Sequence, residues 1–302
     1  MVQKTINTET LRDMLDRGQP VTVLDIRPDD EWAEWIIPGS VHVNAYAALK
    51  ANDPDALAGV DLPDDRPVVT VCGAGATSLI AAAQLQTRGW QAWSLEGGMK
   101  AWSLAWNIAE MSLPDGSAQI VQVRRTGKGC LSYLIGSGGE TAVIDVALDP
   151  EIYLALAQHR GWRISHVLDT HVHADHLSRG RKLAELSGAV FCLPATKRVS
   201  YPVTAVHDND TLHIGTAQLK AQHTPGHTPE STSYLLNQQA LFTGDTLFLA
   251  GVGRPDLEAN REEARQRAHR LYHSLQSVLA LPPETRIFPG HTSEPIAIDA
   301  RL

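Results

Sequence analysis

The sequence predicts an α/β protein built from two domains. Its 302 residues exceed what one hydrophobic core usually organises. Up to about residue 106, short apolar strands alternate with helical stretches, the pattern of a mostly parallel sheet. Beyond residue 117 the pattern changes to hairpin-like strands and then to further strand–helix pairs. The expected division is a first domain at 1–110, a linker at 111–117 around Leu113-Pro114-Asp115-Gly116-Ser117, and a second domain at 118–302.

In the first domain, Val21-Thr22-Val23-Leu24-Asp25, Pro67-Val68-Val69-Thr70-Val71 and Ala92-Trp93-Ser94-Leu95 read as strands. The Ala-rich stretch from Thr77 to Gln86 reads as a helix stopped by Gly89. Between strand and helix stands Cys72, followed by Gly73-Ala74-Gly75-Ala76-Thr77-Ser78. Such small side chains let the backbone curl with its N–H groups pointing inward, and the helix start adds partial positive charge. The loop is therefore a nest suited to an anion, and so to a reactive thiolate.

In the second domain, strands are expected at 119–124, 131–135 and 141–145, with Gly136-Ser137-Gly138-Gly139 as a turn. A helix at 150–159 follows, then a strand at 164–169, a helix at 181–186 and a long amphipathic helix at 262–279 closed by Pro282-Pro283. Cys130 and Cys192 fall in apparent strands and read as buried core thiols.

Composition narrows the function. With 43% hydrophobic and 20% charged residues the chain is globular, and no apolar run approaches the roughly 20 residues that span a bilayer. A net charge of −8 argues against nucleic acid as a partner. The 3 cysteines are far apart and form no C-x-x-C pair, which suits a reducing compartment. The opening Met1-Val2-Gln3-Lys4-Thr5-Ile6-Asn7 has no apolar region of a secretory signal, so a cytoplasmic protein without membrane partners is expected, and a homo-oligomer is allowed.

The run Thr170-His171-Val172-His173-Ala174-Asp175-His176 carries the most chemistry. Three imidazoles and a carboxylate so close together each need a partner if buried, and one metal supplies a partner for all. Three more ligand types follow at similar strand-end junctions: His227 in Thr224-Pro225-Gly226-His227, Asp245 after Phe242-Thr243-Gly244, and His291 after Phe288-Pro289-Gly290.

This set resembles the metallo-β-lactamase superfamily, whose H-x-H-x-D-H run, later His, later Asp and last His surround one or two metals. Asp145 matches the first acidic position of that family. The resemblance implies an αββα sandwich for the second domain. Two chemistries remain open. In one, His171, His227 and Asp245 hold a single Fe(II) per chain, leaving open positions, while His173, Asp175, His176 and His291 orient ligands and water, with Asp175 a catalytic candidate. In the other, all seven hold two Zn ions for hydrolysis.

The first domain resembles a single-domain rhodanese, a sulfurtransferase. The matching pieces are Asp25-Ile26-Arg27, Ile37-Pro38-Gly39-Ser40, the loop from Cys72 to Ser78, and Leu95-Glu96-Gly97-Gly98-Met99-Lys100-Ala101-Trp102. The resemblance implies that Cys72 carries a sulfane sulfur as a persulfide, held by the amides of Gly73, Ala74, Gly75, Ala76, Thr77 and Ser78, with Asp25 and Arg27 a structural charge pair. Rhodanese loops often carry Arg where Thr77 stands, so thiosulfate is expected to bind less well here.

The segment after Asp245, with Gly251-Val252-Gly253-Arg254, resembles persulfide dioxygenases. That resemblance implies that a small-thiol persulfide, such as glutathione persulfide, reacts with dioxygen and water to give sulfite, and that Cys72 delivers or removes sulfane sulfur, with thiosulfate the product if it meets sulfite. Arg254 is the first candidate for the counter-charge to an anionic thiol; Arg179, Arg181 and Lys182 are weaker ones. The alternative is a dinuclear zinc thioester hydrolase resembling glyoxalase II, with an accessory sulfur-relay domain.

Overall fold

A computed structural model describes residues 5–173, 178–257 and 259–292, and the backbone alone at 300–301. Its contacts divide the chain into Met1–Trp106 with Thr126–Lys128, and Asn107–Arg125 with Gly129–Leu302.

The first unit runs β1 (Thr5–Ile6), α1 (Thr8–Asp16), β2 (Thr22–Asp25), α2 (Asp29–Glu34), β3 (Val41–His42), α3 (Tyr46–Lys50), β4 (Val68–Val71), α4 (Ala76–Thr87), β5 (Ala92–Leu95) and α5 (Gly98–Trp102). The strands form one sheet in the order β1-β5-β4-β2-β3, every pair parallel. A parallel sheet is covered on both faces, which is why β2 and β4 are buried at every position. Alternate residues serve opposite cores: Val68 packs with Leu24, Leu49 and Leu85, whereas Val69 and Val71 pack with Leu11, Ile37 and Met99. Cys72 lies just past the end of the central strand β4 and directly before α4, with Ser94 on the neighbouring β5.

The second unit runs β6 (Asn107–Ser112), β7 (Gln119–Arg125), β8 (Cys130–Ser137), β9 (Glu140–Ile144), α6 (Pro150–His159), β10 (Arg163–Leu168), α7 (Gly180–Ser187), β11 (Val190–Pro194) and β12 (Thr204–Val206). It continues with β13 (Thr211–Ile214), β14 (Ala217–His223), β15 (Thr232–Leu236), β16 (Ala240–Gly244), β17 (Leu247–Phe248), β18 (Gly251–Val252), α8 (Arg261–Leu279), β19 (Arg286–Pro289) and β20 (Ala300–Arg301). β17 pairs with β18 in a small two-stranded sheet, and two large sheets result, one ordered β12-β11-β10-β9-β8-β7-β6 and one ordered β13-β14-β15-β16-β19-β20. Their facing sides share one core, in which Tyr133 of β8 meets the edges of Phe242 and Phe288 at ring separations of 5.0 and 5.6 Å. Helices α6 and α7 cover the first sheet, and Val278 of α8 packs on Leu235, Leu241 and Ile287 of the second. This is the expected αββα sandwich, and it follows the rhodanese-type sheet in the chain. The long helix α8 starts one residue before the sequence suggests, at an Asn260–Glu263 capping box.

The linker expected at 111–117 is not a linker. Met111 and Ser112 pair with Ile120 and Gln119, so β6 and β7 form a hairpin whose turn is Leu113–Ser117. Pro and Gly mark tight turns and linkers alike, and the six-residue strand before them is only half-buried, too weakly patterned to be read as β. No helix among the described residues is long and apolar enough to cross a membrane.

One glycine fixes the Cys72 loop. Gly98 has φ +54°, and a Cβ there would overlap the Cys72 carbonyl oxygen and lie 2.7 Å from the Gly75 nitrogen. Gly98→Ala is expected to destabilise the first unit by about 2 kcal/mol or more. Denaturation followed by tryptophan fluorescence tests this, since six of the 7 tryptophans (Trp32, Trp35, Trp90, Trp93, Trp102 and Trp106) lie in that unit.

Candidate metal centre and cysteine loop

In the second unit the candidate ligands gather at strand ends. Parallel β9 and β10 end at Asp145 and Asp169, and parallel β16 and β19 end at Asp245 and beside His291. His227 comes from the loop between β14 and β15. Loops at the carboxyl ends of parallel strands are where side chains from distant sequence converge.

Among the described residues, His171, His227 and Asp245 bring one ligand atom each to within 4.8 Å of one another. His171 Nε2 lies 3.9 Å from Asp245 Oδ2, and His227 Nε2 lies 3.6 Å from it. Each ring is oriented from behind. His227 Nδ1 is 3.0 Å from the Arg254 carbonyl oxygen, which can only accept, so Nδ1 carries the proton and Nε2 offers a lone pair. The Thr170 hydroxyl donates to Asp145 Oδ2 at 2.9 Å, so it accepts from His171 Nδ1, also at 2.9 Å. That leaves His171 Nε2 as a lone pair as well. Asp245 Oδ1 accepts from His291 Nδ1 at 2.7 Å, leaving Oδ2 to face the two imidazoles.

Electrostatics agree with these proton positions. Burial, reinforced by the positive charge of His173, pushes His171 down to about 3, so it is neutral at physiological pH. Burial would raise Asp245, but the hydrogen bond and charge of His291, with His171 and His227, outweigh it and hold the carboxyl down at about 2.

The residues fit a metal ion. His171 is 1% exposed and its Nε2 has no hydrogen-bond partner. An orphaned buried polar atom costs about 1–3 kcal/mol, and a cation shared with His227 and Asp245 removes that cost. Two imidazoles and one carboxylate suit a divalent transition metal with positions left open.

His173 packs its ring 4.2 Å from that of His171, and its Nε2 faces a different pair of carboxylates. Its Nε2 lies 3.1 Å from Asp145 Oδ1 and 4.0 Å from Asp169 Oδ1, making a second buried group with those two carboxylates. Burial alone would lower His173, but the facing Asp145 and Asp169 charges raise it to about 9. Asp169 is pushed up to about 6 by burial, although Ser178 donates to it. Asp175 and His176 lie outside the described residues. His291 is in contact with Asp245 but not in the trio.

Arg254 is placed differently from the expectation. Its exposed guanidinium grips Asp256 through two hydrogen bonds of 2.9 and 3.0 Å, and what the residue gives the centre is its carbonyl oxygen. Gly253 makes that possible: a Cβ there would overlap the Asp245 carbonyl and crowd the His227 Cβ at 3.0 Å. Arg179, Arg181 and Lys182 pair at the surface with Asp149 and Glu185.

The sequence reading missed Thr170 and Glu230. Glu230 is buried, and its Oε1 accepts the Val172 N–H at 3.1 Å and Arg198 Nη1 at 3.0 Å. It therefore ties the loop carrying His227 to the loop carrying His171. The available signal was a charged residue two positions before the buried strand β15.

In the first unit the Cys72 sulfur is buried. The Gly75 and Ser78 amides donate to Sγ at 3.2 and 3.4 Å, and the Ser78 hydroxyl lies 3.3 Å away. Of the six loop amides expected to hold the sulfur, these two make the hydrogen bonds seen; the Cys72 and Gly73 carbonyls accept from Met99 and Lys100. Thr77 is buried, and the Glu31 carboxylate lies 3.8 Å from where a Cβ on Gly73 would stand. Asp25 and Arg27 form a buried pair at 2.7 Å, and Arg27 also donates to the carbonyls of Glu31 and Trp35.

Comparison with known proteins agrees with both units. Residues 7–105 match the rhodanese-like domain, and residues 125–291 match the metallo-beta-lactamase superfamily. A hydroxyacylglutathione hydrolase of Maricaulis maris is 36% identical over 156 residues, covering 51% of this chain and 57% of the hydrolase. The human mitochondrial persulfide dioxygenase ETHE1 is 32% identical over 167 residues, covering 53% of this chain and 63% of that protein. The chain thus spans little more than half the length of the hydrolase. Among solved structures, ETHE1 from Myxococcus xanthus superposes with a TM-score of 0.53 at 32% identity, covering 60% of this chain and 78% of that one. A metallo-beta-lactamase from Staphylococcus aureus gives 0.51 at 30%, covering 63% and 57%.

Glu230→Ala is expected to weaken metal retention by about 10–100-fold, the usual cost of losing a residue that orients ligands. Dialysis against graded chelator, followed by metal analysis, measures it.

Proposed function

Starting from a chain that belongs to the metallo-beta-lactamase superfamily and carries a rhodanese-like domain before it, we propose that it is an iron-dependent persulfide dioxygenase coupled to a sulfurtransferase. The observation that carries this reading is the buried trio of His171, His227 and Asp245: two imidazoles and one carboxylate, a donor set suited to one Fe(II) per chain, while His173 gives its Nε2 to Asp145. Similarity to proteins named as persulfide dioxygenase supports it.

When bound, the ferrous ion supplies the electronic coupling between dioxygen and a closed-shell sulfur that the two lack on their own. The chain's residues do the rest. His171, His227 and Asp245 hold the ion from one side. Asp145, through Thr170, and the Arg254 carbonyl keep each imidazole in the tautomer that presents Nε2. His291 occupies Asp245 Oδ1, so the carboxylate turns a single oxygen inward. The overall reaction balances as RSSH + O₂ + H₂O → RSH + SO₃²⁻ + 2 H⁺, with glutathione persulfide a suitable RSSH. At Cys72, the thiolate takes the outer sulfur of RSSH and releases RSH. The resulting persulfide can pass that sulfur to sulfite, giving thiosulfate and restoring the thiolate. The Glu31 carboxylate near the loop and Thr77 in place of a cation disfavour the thiosulfate dianion as donor.

A second reading rests on the similarity to hydroxyacylglutathione hydrolases: a two-zinc thioester hydrolase in which Asp175 and His176 hold a second ion and the first domain relays sulfur. Metal analysis of anaerobically purified protein with oxygen electrode traces separates the two. Near one Fe per chain and oxygen consumption on adding glutathione persulfide are expected; about two Zn with thioester cleavage and no oxygen use would establish the hydrolase. His227→Ala is expected to lose oxygen consumption by at least about 100-fold, whereas His173→Gln, which still donates to Asp145, is expected to keep its iron. In cyanide-coupled assays, glutathione persulfide is expected to load Cys72 faster than thiosulfate.

A further inference from the structure

We propose that Ser94, on β5, is a positioning residue for the Cys72 sulfur and acts through the hydroxyl of Ser78. The inference rests on the reading that Cys72 carries sulfur, and it concerns a residue 22 positions away in sequence that no part of the loop pattern includes.

Three buried groups stand in a row. Cys72 Sγ is 3.3 Å from Ser78 Oγ, Ser78 Oγ is 2.8 Å from Ser94 Oγ, and Ser94 Oγ is 3.4 Å from the Gly75 carbonyl oxygen. Both serines are 1% exposed or less, so water does not complete the row. Each hydroxyl has one proton to give, and only two arrangements satisfy the row. With a protonated thiol, Cys72 donates to Ser78, Ser78 to Ser94, and Ser94 to the Gly75 carbonyl. With a thiolate, all arrows reverse: Ser94 donates to Ser78, and Ser78 donates to the sulfur. The change needs two hydroxyl rotations and no heavy-atom movement.

The two ends of the row are unequal. The bond given up at Gly75 is long, at 3.4 Å, whereas the one gained is to an anion, and charged acceptors make the stronger bonds. Ser78 can turn its proton to the sulfur without orphaning its own oxygen only because Ser94 then supplies a donor. Ser94 thereby polarises the Ser78 hydroxyl toward the sulfur. The carbonyl released in the thiolate arrangement belongs to the residue whose amide donates to Sγ.

The test uses the full chain at fixed neutral pH, with Cys72→Ser as the background. Iodoacetamide alkylation of Cys72 and its far-ultraviolet thiolate absorbance are measured in Ser78→Ala, Ser94→Ala and the double variant, with thermal midpoints to confirm folding. Ser78→Ala is expected to slow alkylation about tenfold, and Ser94→Ala about threefold with a matching loss of thiolate absorbance. Because Ser94 acts through Ser78, the double variant is expected to be no slower than Ser78→Ala alone. An unchanged Ser94→Ala, or a double variant showing the product of both losses, overturns the inference. Cyanolysis of persulfide-treated wild type separates the premise: failure to release thiocyanate there removes the carrier reading of Cys72, while the alkylation series still decides the role of Ser94.

Discussion

The metal half of the molecule depends on one buried carboxylate, Asp145. It sits at φ +55°, a conformation that Asp and Asn tolerate better than other side-chain-bearing residues. Burial would push its proton affinity up, but the charge and hydrogen bond of His173 and the Thr170 amide together bring it below the ordinary carboxylate range. It accepts from the Thr170 amide, the Thr170 hydroxyl and the His173 ring. One anion therefore fixes two histidines that are two residues apart: His171 through the Thr170 hydroxyl, and His173 by accepting directly from its Nε2.

The remaining ties extend this order across the strand ends. Glu230 and the backbone bond from the Thr232 amide to the Thr170 carbonyl lash the His227 loop to the His171 loop. Gly290 donates to the Gly244 carbonyl, so the two parallel strands that deliver His291 and Asp245 are joined at the point where those side chains leave. His227 and Asp245 are thus each held by a neighbour from a different loop, and His171 by Thr170, itself backed by Asp145 of another. That is the arrangement a site needs if its geometry is to be set by the fold rather than by the ion.

Much of this was legible in the residues alone. The alternation of β2, β4, α4 and β5 announced a parallel sheet, and the strand–Gly–ligand grammar announced Asp245 and His291. The hairpin at β6 was not legible, because its strand is half-buried and its turn carries the same Pro-Asp-Gly as a linker. Nor was the partner of His173: that its Nε2 meets Asp145 depends on backbone conformation at two loops far apart in sequence. Arg254 shows the same limit. Its identity suggested charge, yet Asp256, two residues on, takes that charge at the surface. Ser94 was hidden because its partner Ser78 lies on helix α4, packed against the sheet, a proximity no local pattern encodes.

The hold on His227 comes from a main-chain oxygen, and that has an evolutionary consequence. A carbonyl is supplied by any amino acid, so position 254 can change its side chain freely while the imidazole stays in place. That side chain can then change in charge or bulk without disturbing the proton on Nδ1. Position 253 has no such latitude, since only a hydrogen fits against the Asp245 carbonyl. Adjacent positions thus carry opposite constraints, one fixed by shape and one open to substitution.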